Sequence, residues 1–146
     1  MKRYLAFCIP IGLALASCGK RNAITISSSD SSCVMHVKEK ERIPKTGNAG
    51  GWVFSDSEPD WQATHIHFEV KGRRFELPDR VVKRIAEPHQ LSVSSEEKSP
   101  SEISITLHRP NMACGLYQAE FHFKNEILVW ATADGTDMDQ PLKIYP

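Results

Sequence analysis

The residues best suited to chemistry in this 146-residue chain are His65 and His67, two positions apart in the run Thr64-His65-Ile66-His67-Phe68. On a β-strand, residues i and i+2 point to the same side, so both imidazoles project from one face, about 7 Å apart at Cα. Lys71-Gly72 follows as a two-residue hairpin turn, with glycine available for a positive φ. Folding back at that turn sets Val70 opposite Arg73, Glu69 opposite Arg74, Phe68 opposite Phe75, His67 opposite Glu76 and Ile66 opposite Leu77. Apolar then meets apolar at 68/75 and 66/77, and opposite charges meet at 69/74, as cross-strand pairing favours. The register also gathers His65, His67 and Glu76 on one patch. Two histidines and a carboxylate form a ligand set for zinc, iron(II) or another divalent metal, with positions left open for substrate. His108 and His122 fall on the polar faces of their own segments and would join if those strands were neighbours. The same residues also read as a solvated strand face in which His67 simply pairs with Glu76 and no cofactor is held.

Other patterns carry less. Ser95-Glu96-Glu97-Lys98 fits SxxK and Lys45-Thr46-Gly47 fits KTG, the marks of penicillin-recognising enzymes. Their order is reversed, no Ser-Asp-Asn separates them, and Ser95 reads as loop. No GxSxG elbow, phosphate-binding glycine loop or HExxH is present. The acidic run 134–139 breaks EF-hand spacing and reads as an Asp-Gly turn. No catalytic residue is therefore assigned. Trp61 closes the acidic, turn-rich stretch 55–60 and has two readings: an exposed contact residue for a binding partner, or a ring folded back over the sheet edge. Trp52 and Phe54 alternate and read as core.

The elements that would position these residues repeat with period two rather than 3.6. Alternating segments fall near 33–38, 51–55, 64–70, 73–77, 90–94, 102–108, 116–124, 127–133 and 142–145, separated by Pro, Gly, Ser and Asp clusters. A second hairpin turning at Asn125-Glu126 sets Phe123 against Leu128, Phe121 against Trp130 and Ala119 against Thr132. Only 79–86 reads as a short helix, with Asp79 as its N-cap and Val81, Val82 and Ile85 on one side. The expected fold is all-β and mainly antiparallel, a small sandwich or barrel of about eight strands in a single domain over 33–146. The preceding 18–32, rich in serine, reads as a flexible tether, although Ile24 and Ile26 suit a short edge strand.

The first seventeen residues differ from the rest. Lys2 and Arg3 precede an apolar run over 4–16 that Pro10 and Gly12 interrupt, too short for a transmembrane span. It ends in Leu15-Ala16-Ser17-Cys18, which resembles the lipobox of bacterial lipoproteins. The resemblance implies cleavage before Cys18, acylation of that cysteine (palmitate included), and a lipid-anchored envelope protein. Gly19, where an aspartate would favour inner-membrane retention, implies the outer membrane. Cys8 leaves with the leader and Cys18 takes the lipid, so Cys33 and Cys114 remain as a pair in an oxidising compartment. A disulfide between them is the favoured reading, closing about 80 residues and contributing roughly 4–4.5 kcal/mol. Two buried thiols or a reactive Cys114 are the alternatives.

Loss of Lys2 and Arg3 leaves sixteen basic against eighteen acidic side chains, with no basic stripe for a nucleic-acid partner. Two functions therefore stand: a non-enzymatic module that binds an envelope or secreted protein without a cofactor, and a metal-binding or metal-dependent activity on the histidine face. Cys18→Ala is expected to leave an unprocessed or mislocalised precursor without acyl chains, as read by mass spectrometry. An unmodified wild-type N-terminus at Cys18 would show the lipidation to be wrong.

Overall fold

The structure, a computed structural model, describes residues 19–43, 45–47, 51–110, 117–134 and 142–144. Cys18, Cys114 and the acidic 135–139 lie outside these residues. Two antiparallel meanders pack face to face. The first sheet is β1 (Arg21–Ser27), β2 (Cys33–Glu41), β3 (Trp61–Val70) and β4 (Arg73–Glu76). The second is β5 (Ser92–Ser99), β6 (Glu102–Arg109), β7 (Tyr117–Lys124), β8 (Ile127–Asp134) and β9 (Leu142–Ile144). Within each sheet every strand pairs with its neighbour in the chain, and among the described residues no ladder joins the two sheets, so the expected β fold is a sandwich rather than a barrel. Among the described residues no helix is long and apolar enough to cross a membrane.

The alternation read from the sequence builds the core. Met35 and Val37 of β2, Ile66 and Phe68 of β3, and Phe75 of β4 face Ile105, Leu107, Phe121 and Phe123 of the second sheet, all essentially inaccessible to solvent. Phe68 lies 6.3 Å from Phe121 and 6.4 Å from Phe123, ring centre to ring centre, and Phe75 lies 5.3 Å from Phe123. At one end, the hairpin end, Arg73 bonds Glu126 at 2.9 Å and Lys71 bonds Glu97 at 2.5 Å, tying the sheets together. At the opposite end Arg109 donates to the Phe54 carbonyl and, at 2.7 Å, to Gln90.

The first hairpin has the expected register through His67↔Glu76, with Lys71 and Gly72 both at positive φ in the turn. Four other expectations need correction. The tether is largely strand: β1 pairs with β2 along its whole length, and Ile24 and Ile26 pack against the core. The serines that suggest flexibility form a tight turn. Asp30 accepts hydrogen bonds from Ser28 Oγ (2.8 Å), Ser32 Oγ (2.7 Å) and Ser32 N (3.0 Å).

The helix over 79–86 is one turn, α1 (Asp79–Val82), entered from extended Pro78 with no side-chain cap from Asp79. Ile85 and Ala86 leave it to bridge Val53 and Gln62. The stretch 51–55 is not a strand. Val53 makes that single bridge, and Phe54 at φ 71° turns the backbone so that both neighbours are buried, not alternate ones. In the second hairpin, a bulge slips the register between His122 and Phe123, giving His122↔Trp130 and Phe121↔Ala131. Small Ala131 and Ala133 then enter the core beside the crowded phenylalanines, and Trp130 stacks on His122 outside (5.2 Å, 4°).

The long connection before β3 is organised by Glu58, whose side chain is 9% exposed. It accepts from Arg42 Nη2 (2.8 Å), Thr46 N (2.7 Å) and Gly47 N (2.6 Å). Arg42 in turn lies over the Trp52 ring at 4.5 Å.

Phe68→Ala should cost about 3–5 kcal/mol, as for other buried aromatics, in a chemical-denaturation titration. The carboxylates give a pH signature. Hydrogen bonds from Ser32 hold Asp30 down at about 2 from 3.8, and the Arg42 guanidinium holds Glu58 down at about 2 from 4.5. Folded values below unfolded ones mean that the stabilisation is complete above about pH 4.5 and fades as pH falls through about 2. Asp30→Asn with Glu58→Gln should flatten the acid limb of a denaturation-midpoint profile between those limits.

Candidate metal centre on the outer face of the first sheet

The inward set of β3 (Ile66, Phe68, Val70) leaves His65, His67 and Glu69 outward on the same strand. In β2 the inward set Cys33, Met35, Val37 leaves His36 outward, directly opposite His67. The two imidazoles stack at 4.6 Å with 15° between planes. Both Nε2 atoms face one carboxylate: His36 Nε2 is 3.4 Å from Glu69 Oε2, and His67 Nε2 is 4.0 Å from Glu69 Oε1. Ligand atoms of His36, His67 and Glu69 lie within 4.8 Å of one another, and no other such group of three occurs among the described residues. Zinc holds N and O ligands at about 2.0–2.2 Å, hence about 3.4 Å from each other in a tetrahedron, so a small rotation of the exposed Glu69 side chain closes the set.

Of the two nitrogens that face Glu69, His36 Nε2 is buried with no hydrogen-bond partner, whereas the unpartnered atom of His67 is Nδ1, on the other side of its ring. Thr25 Oγ1, 3.4 Å from His36 Nδ1, occupies the other nitrogen of that ring, as an outer-shell partner would. Burial, reinforced by the charges of Arg74, His36 and His65 and opposed by Glu69, pushes the His67 pKa down, which favours the neutral form that donates a lone pair. A shallow groove of about 240 Å³ opens beside the cluster between β1 and β3.

The trio expected from the sequence does not converge. His65 pairs diagonally with Glu76, Nε2 to Oε1 at 3.4 Å, and Glu76 also approaches Arg74 Nε at 3.7 Å. His67 is drawn toward β2 by its stack with His36, although its backbone stands opposite Glu76 as expected. His65 remains adjacent, its ring 5.5 Å from that of His67. His108 and His122 sit in the second sheet and do not join; His122 bonds Ser104 at 3.1 Å. Glu69 was open to sequence reasoning as the third residue of an i, i+2, i+4 row. His36 was not, because its approach to His67 depends on a long-range pairing of β2 with β3.

Cys33 is a fully buried free thiol in β2, pushed up to about 11 by burial against a hydrogen bond to Ser95. It lies opposite Val70, at the hairpin end, whereas Arg109 and Tyr117, which flank the connection carrying Cys114, pair at the other end. Trp61 opens β3 half-buried, its ring edge-on to His89 at 6.0 Å. It borders a surface cavity of about 390 Å³ with Arg42, Lys45 and Asp60. Comparison with protein families, curated proteins and solved structures finds no match to this chain.

Proposed function

We propose that this chain is a lipid-anchored bacterial envelope protein whose domain binds a divalent transition metal, with His36, His67 and Glu69 as ligands and His65 at the rim. The observation that carries the reading is the convergence of two stacked imidazoles, each through Nε2, on one carboxylate across two strands. Imidazole and carboxylate suit zinc, and three protein ligands leave a coordination position open. The site sits on a rigid sheet face rather than a loop, which favours holding an ion over remodelling a substrate, and the reading is of binding rather than catalysis. The protein-partner reading is favoured by a different feature: Ile127 and Val129 of β8 are 70% and 46% exposed.

Equilibrium dialysis and calorimetry of the purified protein with zinc should give one ion per chain and a raised melting temperature, since a ligand bound only by the folded state stabilises it. His36→Ala and His67→Ala should each weaken binding by more than the ~10–100-fold that loss of a mere supporting residue costs. Glu76→Gln should leave binding unchanged, which separates this trio from the one expected on the hairpin alone. Absence of stoichiometric uptake, or uptake indifferent to His36→Ala and His67→Ala, overturns the reading.

A further inference from the structure

We infer that the end of the sandwich where the chain enters β1 is a docking surface for anionic phospholipid headgroups, in the leaflet that holds the acyl chains of Cys18. This rests on the lipid-anchor reading above. Its basis is a cluster of exposed cations at the point where anchor meets fold. Arg21 of β1 stands directly opposite Lys40 of β2, and Lys38 lies two residues along the same outer face, opposite Ala23. Like charges directly opposite one another destabilise a ladder. No ion pair among the described residues includes Arg21, Lys38 or Lys40, which leaves their charges free for an outside anion. Lys20 is exposed beside them, and Glu41, a carboxylate lining the same groove, accepts from the Lys20 backbone N at 3.2 Å. Arg42 and Lys45 are already matched by Glu58 and Asp60. A groove of about 250 Å³ opens between Arg21, Lys40 and Ile43, and Ile43 presents its apolar side chain 48% exposed.

The way the chain enters the fold removes any spacer. Gly19 packs so closely on β2 that a Cβ there would lie 2.4 Å from the Glu41 carbonyl oxygen. Glu41 N also donates to the Lys20 carbonyl at 2.8 Å. Cys18 is the next residue, its Cα about 3.8 Å from that of Gly19. An acylated Cys18 therefore sets this end of the sandwich at the headgroup layer, with Arg21 and Lys40 well inside the ~10 Å over which a charged surface acts at 0.1 M salt. Each Lys or Arg held there strengthens attachment to an anionic surface about fivefold. The result is one preferred orientation of the domain, with the basic edge down and the hairpin end away from the bilayer.

The lipidated full-length protein, extracted from membranes, can be reconstituted into phosphatidylethanolamine vesicles with or without phosphatidylglycerol. Labelling with an amine-acylating reagent and mass spectrometry then report lysine accessibility, and the same spectra show whether Cys18 carries acyl chains. Lys20, Lys38 and Lys40 should lose reactivity severalfold when phosphatidylglycerol is present and regain it at high salt. Lys98 and Lys124, at the hairpin end, should not change. In the K38Q/K40Q variant, protection of Lys20 should fall about fivefold for each charge removed. Acyl chains on Cys18 with equal labelling in both vesicle types, or with Lys98 and Lys124 protected equally, overturn the headgroup surface while the anchor stands. An unacylated Cys18 overturns both.

Discussion

Phe68 packs against both Phe121 and Phe123 of the opposite sheet, and this single wedge decides which way β3 faces. A strand has only two faces, so burying Phe68 commits Ile66 and Val70 inward and His65, His67 and Glu69 outward. Slipping β3 by one residue would place two imidazoles and a carboxylate among phenylalanines, a desolvation cost of several kcal/mol with no partners to offset it. The hydrophobic pairing thus specifies the polar face as firmly as the core. The histidine cluster depends on it without contributing to it.

Burial of polar groups at the other end does a related job for β1. Glu39 is 2% exposed, yet its carboxylate is satisfied by Asn22 Nδ2 at 3.2 Å and by His89 Nδ1 at 3.0 Å. Asn22 belongs to β1 and His89 to the segment leading into β5, so one buried carboxylate is shared by two elements far apart in sequence. Glu87, 7% exposed, receives the Asp60 and Trp61 amides at 2.6 and 3.3 Å and anchors the start of β3. Buried charges stabilise little in net terms, but leaving either unpartnered would be costly. They therefore penalise arrangements in which β1 detaches or the 87–90 segment drifts.

The two ends of the sandwich consequently differ in chemistry. The hairpin end is closed by ion pairs between sheets, Arg73 with Glu126 and Lys71 with Glu97. The entry end has cations on its outer face without such matches, and the histidine face lies between the two. Under the proposed anchoring at Cys18, the basic edge would meet the bilayer and the histidine groove would lie on a side wall open to the aqueous compartment.

What the residues alone determined was parity and local pairing. Alternation over 64–70 and 73–77, joined by a Lys-Gly turn, yielded the register His67↔Glu76 because turn and pattern lie within a dozen residues of each other. The all-β class followed in the same way. Composition misjudged 18–32, where serines that suggest a tether instead close a turn around Asp30, and where β1 draws its stability from the open edge of β2. The bulge at Val129 was equally hidden, because it answers to the volume of phenylalanines on other strands. Above all, tertiary structure decided which carboxylate meets which imidazole. The sequence placed His67 across from Glu76, but a strand has two neighbours, and the stack with His36 on the far side turned the ring toward Glu69. That choice depends on contact between strands roughly thirty residues apart, where loop-closure entropy is outweighed only by the assembled core.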